Sequence, residues 1–393
     1  MDTGKAAGET RAGFWPLTGY FLKLGTVGFG GPIALAGFMH RDLVERRRWV
    51  SEDDYQLGLA LAQIMPGPLA AQLAIALGYF QHGLAGATAV GLAFILPSFL
   101  MVIALSLLYV AYGGLWWMQA LFYGIGAAVI AIIAIAAYRL ARSTNKRDPL
   151  LWGIFAVLAA VTVWAQAELA EFFIAAGLLV LLVRARPRWR RRPPAVGGPA
   201  AGLPALPLVA ADPAAGGVLV QILLFFTKAG AFVFGSGLAI VPFLYQGVVQ
   251  QHGWLDEQQF LDAVAVAMIT PGPVVITVAF IGYLVAGLAG AVLASVGIFL
   301  PVYVFTIVPA PWFQRHRDHA QLRAFVQGAT AAATGAISGA VVVLGQRAIT
   351  DLPTAAIAAA SLGLLWRLKV PEPLLVAGAG LAGLILWPLV RGG

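Results

Sequence analysis

The sequence contains no cysteine in its 393 residues. That excludes disulfides, thiolate metal sites and iron–sulfur clusters. Charge is also scarce. Only 11% of residues are Asp, Glu, Lys or Arg, against about 25% in soluble globular domains. No long polar stretch is present that could fold as a soluble domain, which removes most cytosolic enzyme classes. No phosphate-binding loop, catalytic triad or dinucleotide fingerprint occurs. No apolar segment carries a central Asp or Glu, so no carboxylate relay for protons is expected. His316-Arg317-Asp318-His319 lies in a polar loop without further ligands, so neither a metal nor any other cofactor is expected. The chain reads as no enzyme.

What is present is apolar. Hydrophobic residues make up 60% of the chain and the mean hydropathy is +0.86, the composition of an all-α polytopic membrane protein. Its 46 glycines and 23 prolines suit membrane helices that pack closely and break on purpose. Apolar segments run roughly over 14–39, 56–80, 84–112, 115–138, 149–166 and 169–183. A basic, Pro/Gly/Ala-rich linker, 184–217, follows. A second set then covers roughly 218–250, 260–285, 287–310, 324–346, 353–366 and 371–390. Two membrane repeats, 14–183 and 218–390, are thereby expected. The first apolar stretch is too long for a signal-peptide core and carries Lys23, so no cleaved leader is expected. The net charge of +8 sits mostly in loop arginines and reads as topology and attraction to anionic lipid headgroups, not nucleic acid.

The two sets are one unit used twice. A shift of 205 residues puts Lys23 on Lys228, Gly25 on Gly230, Phe29-Gly30 on Phe234-Gly235, and Trp49 on Trp254. It also superposes Pro66-Gly67-Pro68 on Pro271-Gly272-Pro273. A shift of 204 continues the match through Gly78-Tyr79 with Gly282-Tyr283, Leu96-Pro97 with Leu300-Pro301, and Gly124 with Gly328. Such duplication is common in secondary transporters. Loop charge flips between the copies. Arg41–Arg48 is basic, whereas 251–259 has no Lys or Arg; 113–119 is uncharged, whereas 314–323 holds three arginines. The positive-inside bias therefore predicts inverted repeats, each with an odd number of crossings. Taking the Pro-Gly-Pro segment as a re-entrant hairpin gives five crossings per half and about ten in all, with the basic loops and the linker cytoplasmic and both termini outside.

Each Pro-Gly-Pro removes backbone donors and forbids a continuous helix. Freed backbone groups survive in a bilayer only where protein buries them or a cavity is lined. Paired breaks at corresponding places point to a substrate site. Its candidates are Lys23, Gly30, Gly31, Gln63, Pro66, Gly67, Pro68 and Gln72. The second half adds Lys228, Gly235, Ser236, Thr270, Pro271, Gly272 and Pro273. Glycine breaks either pack helices closely or expose N–H groups to an anion. The two lysines either snorkel to an interface or supply positive charge to a dianion pocket. Gln63, Gln72, Thr270 and Thr277 offer neutral donors, or else bond between helices. Arg41, Glu45 and Arg46 read as an interfacial stretch or as a cytoplasmic vestibule that gathers anions. Glu52, Asp53 and Asp54 are expected to cap the next helix.

The paired elements FGGP, ERRRW and QIMPGPLAAQLAIALGY, with FGSGLAIVPFL and AVAMITPGPVVITVAFIGYLVAG, resemble the chromate ion transporter family in its long, two-domain form. The resemblance runs from about Phe14 to Arg367. It implies chromate efflux across the bacterial inner membrane, chromate resistance, and sulfate as a competing look-alike. The motif positions it carries over are Lys23, Gly30, Gly31, Pro32, Arg41, Glu45, Arg46, Trp49 and Pro66–Pro68, then Gly235, Gly237, Trp254 and Pro271–Pro273. Leu69, Ala70 and Ala71 stand where many members carry small hydroxyl residues. Sulfate or another oxyanion is the alternative cargo, and a membrane-embedded lipid-modifying enzyme the remote one. The pattern also allows a homodimer.

Overall fold

The computed structural model describes residues 12–28, 31–112, 115–165, 170–184, 217–232, 240–315, 320–368 and 370–391. The described residues form helices and turns, with no strand among them. The first half comprises α1 (Phe14–Val27), α2 (Gly31–Met39), α3 (Glu52–Ile64), α4 (Leu69–Tyr112), α5 (Trp116–Asn145), α6 (Pro149–Ala165) and α7 (Ala170–Arg184). The second repeats it with α8 (Val218–Ala231), α9 (Val241–Tyr245), α10 (Glu257–Ile269), α11 (Thr277–Ile307), α12 (Ala310–Arg315), α13 (Ala320–Ala348), α14 (Leu352–Gly363) and α15 (Glu372–Arg391). Both α2 and α9 run on into π-helical turns, His40–Arg46 and Gln246–Gln251, an uncommon feature duplicated in register.

Three reversals shape each half. At the first, α2 turns back toward the start of α1. The Tyr20 hydroxyl meets the Phe38 carbonyl, and the Arg47 guanidinium lies over the rings of Tyr20 (5.6 Å) and Trp49 (4.5 Å). The second half repeats the cluster 205 residues on. There Phe225 stacks on Phe243 at 5.5 Å and packs against His252 and Trp254. At the second reversal the Pro-Gly-Pro forms the tip of a helical hairpin, for Gly58 of α3 faces Leu73, Leu77 and Phe80 of α4. Each 13-residue arm is about 20 Å long at 1.5 Å per residue, short of the ~30 Å hydrocarbon layer, so the tip lies inside the membrane. The third reversal breaks α4 at His82-Gly83 and α11 at Ala286-Gly287. Gly83 and Gly287 have φ of 61° and 60°, a left-handed turn that glycine adopts without strain. Gly78 then meets Gly86, and Gly282 meets Gly290, backbone against backbone.

The halves interlock by exchange. Gly335 and Gly339 of α13 lie in step against Phe155 and Ala159 of α6, so those helices are parallel. Reciprocally, Tyr123–Asp351 and Tyr138–Trp366 set α5 parallel to α14. Gly124 approaches Ala379 of α15 as its counterpart Gly328 approaches Ala176 of α7. The three-residue turn between α5 and α6 reverses the chain. Helix α13 therefore runs opposite to α5, its own repeat mate, and the repeats are inverted.

Two features depart from what the sequence predicts. The first apolar run does not cross but turns back, because its break falls in mid-segment. Each half thus has two dips followed by two segments long and apolar enough to cross, in Leu69–Tyr112 and Trp116–Arg139 and in Val274–Phe313 and Gln327–Gln346. Two shorter apolar helices follow in each half, an even number. Ala12, whose carbonyl accepts from His82 Nε2 at the third reversal, consequently lies on the same face as Arg41–Arg48, where the sequence placed the terminus opposite. That face also receives the ends of α5, α7, α12 and α14, with Arg142, Arg184 and Arg367. Asp256, Glu257 and Asp351 mark the other face. The linker between Arg184 and Gly217 lies outside the described residues. The second departure is the cap of α3. Ser51 Oγ accepts from Asp54 N at 3.1 Å, and Glu52, Asp53 and Asp54 fill the first turn, where they complement the helix dipole.

Candidate functional site

The second Pro-Gly-Pro tip is docked deep between the halves. The Gly272 N–H donates to the Gly28 carbonyl at 2.9 Å, just past the end of α1. Ser98 Oγ on α4 donates to the Pro271 carbonyl at 2.6 Å. Thr270, Pro271, Gly272 and Pro273 are all buried. Ser98 sits so close that a Cβ on Gly272 would overlap its hydroxyl. The two threonines are occupied within their own turns, Thr270 donating to Val266 O and Thr277 to Val274 O.

The first tip is more open. Gln63 is exposed, Met65 and Pro66 are half-buried, and Gly67 and Pro68 are buried. Gln72 is fully buried on α4, and its Nε2 donates to the Pro66 carbonyl at 2.8 Å. Its Oε1 is buried without a partner. An unmet buried polar atom costs about 1–3 kcal/mol, so a fully buried amide with half its capacity unused marks this tip. The amide's orientation is interchangeable, and rotated it would turn an N–H pair in the same direction. Immediately after Pro68, α4 begins, and the first N–H groups of a helix have no intrahelical acceptor.

Lys23 and Lys228 occupy equivalent places near the C-terminal ends of α1 and α8, and both are exposed. Gly25, which packs on Phe94 and lies beside Ser98, is two residues beyond Lys23. Two residues are about 200° around a helix. The lysine therefore points away from the docked second tip, and the structure does not bring the two lysines against that tip. Gly31 opens α2; Gly30, Gly235, Ser236 and Gly237 lie outside the described residues, as does the 316–319 loop. On the basic face, His40 bridges Glu45 (3.2 Å) and Glu52 (2.8 Å). Arg46 pairs with Asp42 at 3.4 Å, and Arg41 lies over Phe38. Hydrogen bonds from Gln56 and His40 hold the Glu52 carboxyl below its ordinary value.

One functional candidate escaped the sequence. Asp262, on α10, is only 3% exposed. It accepts from Tyr109 of α4 at 2.7 Å and from Gln258 at 2.8 Å. The sequence shows no Asp or Glu central to an apolar segment; Asp262 stands at the edge of one and is nonetheless buried. Its repeat mate is Leu57, which packs in one apolar cluster with Phe313, the mate of Tyr109.

Inverted repeats, each with helices broken inside the membrane, define a secondary membrane transporter. The family model described as Chromate transporter matches residues 15–183 and again 220–384, and the chain belongs to that family. It is 58% identical over 381 residues to the chromate transport protein of Cupriavidus metallidurans, covering 95% of this chain and 93% of that one. It is also 58% identical over 375 residues to the probable chromate transport protein of Synechococcus elongatus, covering 94% and 95%. To the chromate transport protein of Pseudomonas aeruginosa it is 33% identical over 386 residues, covering 94% and 91%. No solved structure matches the chain.

Proposed function

We propose that the protein carries chromate outward across the bacterial inner membrane, conferring chromate resistance, with sulfate as a competitor. The observation that carries the reading is the unequal pair of tips, one docked between the halves and one open. Alternating access in inverted-repeat carriers exchanges two such arrangements. The oxyanion binds at the open first tip, on the free N–H groups at the start of α4, with Gln63 and Gln72 as side-chain donors. Lys23 and Lys228 act through their field rather than by contact. Arg41 and Arg46 with Glu45 form the cytoplasmic vestibule, because the basic face is the inner one by the positive-inside bias. The membrane repeats are 14–183 and 218–390, joined by the basic linker.

Energetics favour export. Each charge is worth about 2.3 kcal/mol per 100 mV, so a dianion leaving a negative interior moves downhill by roughly twice that. Everted vesicles bearing the protein should take up chromate faster than protein-free vesicles, with sulfate slowing the uptake. Equal rates would refute the reading.

A further inference from the structure

We propose that Asp262 is a proton-binding site that couples proton movement to transport, with Tyr109 as its relay and latch. This inference rests on the transporter reading and deepens it by naming the coupling ion. A cavity of about 380 Å³, lined by Tyr109, Val110, Trp254, Leu255, Gln259 and Leu284, lies at the acidic face between the two halves. Gln259, in its wall, directly follows the exposed residues Asp256, Glu257 and Gln258 at the acidic face, so the cavity opens toward that face. Tyr109 stands in the cavity wall and donates from behind it to Asp262 Oδ2. A proton reaching the cavity is accepted by the Tyr109 hydroxyl oxygen as its own proton passes to Asp262. The carboxylate becomes a carboxylic acid and water remains in the cavity.

The site is built to feel that proton. Both donors to Asp262, Tyr109 and Gln258, are neutral, and it makes no ion pair among the described residues. Asp256 and Glu257 lie on the same helix, and Tyr245 of α9 donates to Glu257. The helices packed on α10 carry Tyr283 on α11 and Tyr123 on α5, the latter bonded to Asp351, and His252 stacks on Trp254 of the cavity wall. The described side chains of α13 and α15 add no titratable group at this end. Among the described side chains near Asp262 the charged groups are acidic and none is a cation.

Occupancy has a mechanical consequence. The Tyr109–Asp262 bond ties the first half to the outer end of α10, as the Gly28 and Ser98 bonds tie it to the hairpin tip. Protonation replaces a charge-assisted bond by a weaker neutral one. Helix α10 continues from Asp262 for two turns to the docked tip, so loosening its outer end favours release of Pro271 and Gly272 from Ser98 and Gly28. The mirror position holds Leu57 and Phe313, so the fold itself does not need a polar pair there.

The test uses the full chain in proteoliposomes, with labelled chromate and an internal pH dye. Wild type should move protons opposite to chromate, and an imposed pH gradient should drive several-fold chromate accumulation. Asp262→Asn, which still accepts from Tyr109, should keep chromate–chromate exchange while losing the proton signal and the response to the gradient. Tyr109→Phe should slow the proton signal more than the exchange. The double variant Asp262→Leu with Tyr109→Phe, copying the mirror pair, should fold and exchange without coupling. Unchanged proton movement per chromate in Asp262→Asn would overturn the proposal, as would loss of exchange in a folded Asp262→Asn. Chromate flux without protons in wild type overturns the coupling alone. No chromate flux in wild type overturns the transporter reading instead.

Discussion

The amide of Gly272 donates to the carbonyl of Gly28 at 2.9 Å, joining the second hairpin tip to the end of α1 in the other half. Two backbone groups freed by helix breaks thus satisfy each other across the pseudo-symmetry axis, in a place where water cannot. Gly272 has φ of 98°, and an added Cβ would overlap the Ser98 hydroxyl. Gly272→Ala should therefore cost roughly 1–3 kcal/mol from backbone strain alone and abolish chromate flux. Thermal unfolding in detergent, read beside vesicle uptake, checks both effects.

Ser98 holds the same tip through the Pro271 carbonyl. Ser98→Ala removes that donor without adding bulk, so the docked arrangement should lose about 1–3 kcal/mol while the fold persists. The balance between the two tips then shifts, and the rate of chromate exchange should change by severalfold or more. An unchanged rate would mean that docking does not participate in the cycle.

Gln72→Leu keeps the volume at the first tip but strips the donor from the Pro66 carbonyl. Apparent chromate affinity should fall about tenfold or more, by the same 1–3 kcal/mol scale. Thr277→Val, at the corresponding place in the second half, should change affinity little, because Thr277 bonds only within its own turn. Equilibrium binding measured on both variants separates the two tips.

Lys23→Ala and Lys228→Ala should each leave expression intact and weaken capture of the dianion severalfold at low salt. The loss should shrink at high salt, since an exposed charge acting at a distance is screened beyond about 10 Å at 0.1 M. Normal capture at both salt levels would return the lysines to snorkelling.

The His40–Glu52 contact predicts a pH dependence on the basic face. The Glu52 value is lowered on folding, chiefly by the hydrogen bonds from Gln56 and His40. Its contribution is therefore fully present above the ordinary glutamate value of about 4.3 and is lost as pH falls through the lowered one. Wild type should lose stability across that acidic window, whereas Glu52→Gln should lose less. A pH series of unfolding midpoints checks the difference.

Much of this arrangement is legible in the sequence, because a repeat leaves marks in register. The shift of 205 that superposes the two Pro-Gly-Pro motifs also superposes Tyr20, Phe38, Arg47 and Trp49 on Phe225, Phe243, His252 and Trp254, which cluster alike. The flip of loop charge foretold inversion. The early reversal was hidden, because 14–39 is apolar enough to read as one span and only its glycines betray a turn. Asp262 was hidden for another reason. It stands among Gln258 and Gln259 at the edge of an apolar run, like an ordinary helix start, and what buries it is Tyr109, 153 residues away. The orientation of Lys23 depends on helical phase, and Gly25 fixes that phase only once its partner Phe94 is placed.

The absence of native cysteine makes the central claim directly measurable, since a single introduced thiol is the only one in the chain. Gln63→Cys and Thr270→Cys, reconstituted in vesicles of known orientation, can be challenged with a membrane-impermeant thiol reagent from either side. The account predicts that position 63 is modified from the basic face, that chromate protects it, and that position 270 resists modification while its tip is docked. Modification of both positions at equal rates from both faces, unaffected by chromate, would contradict it.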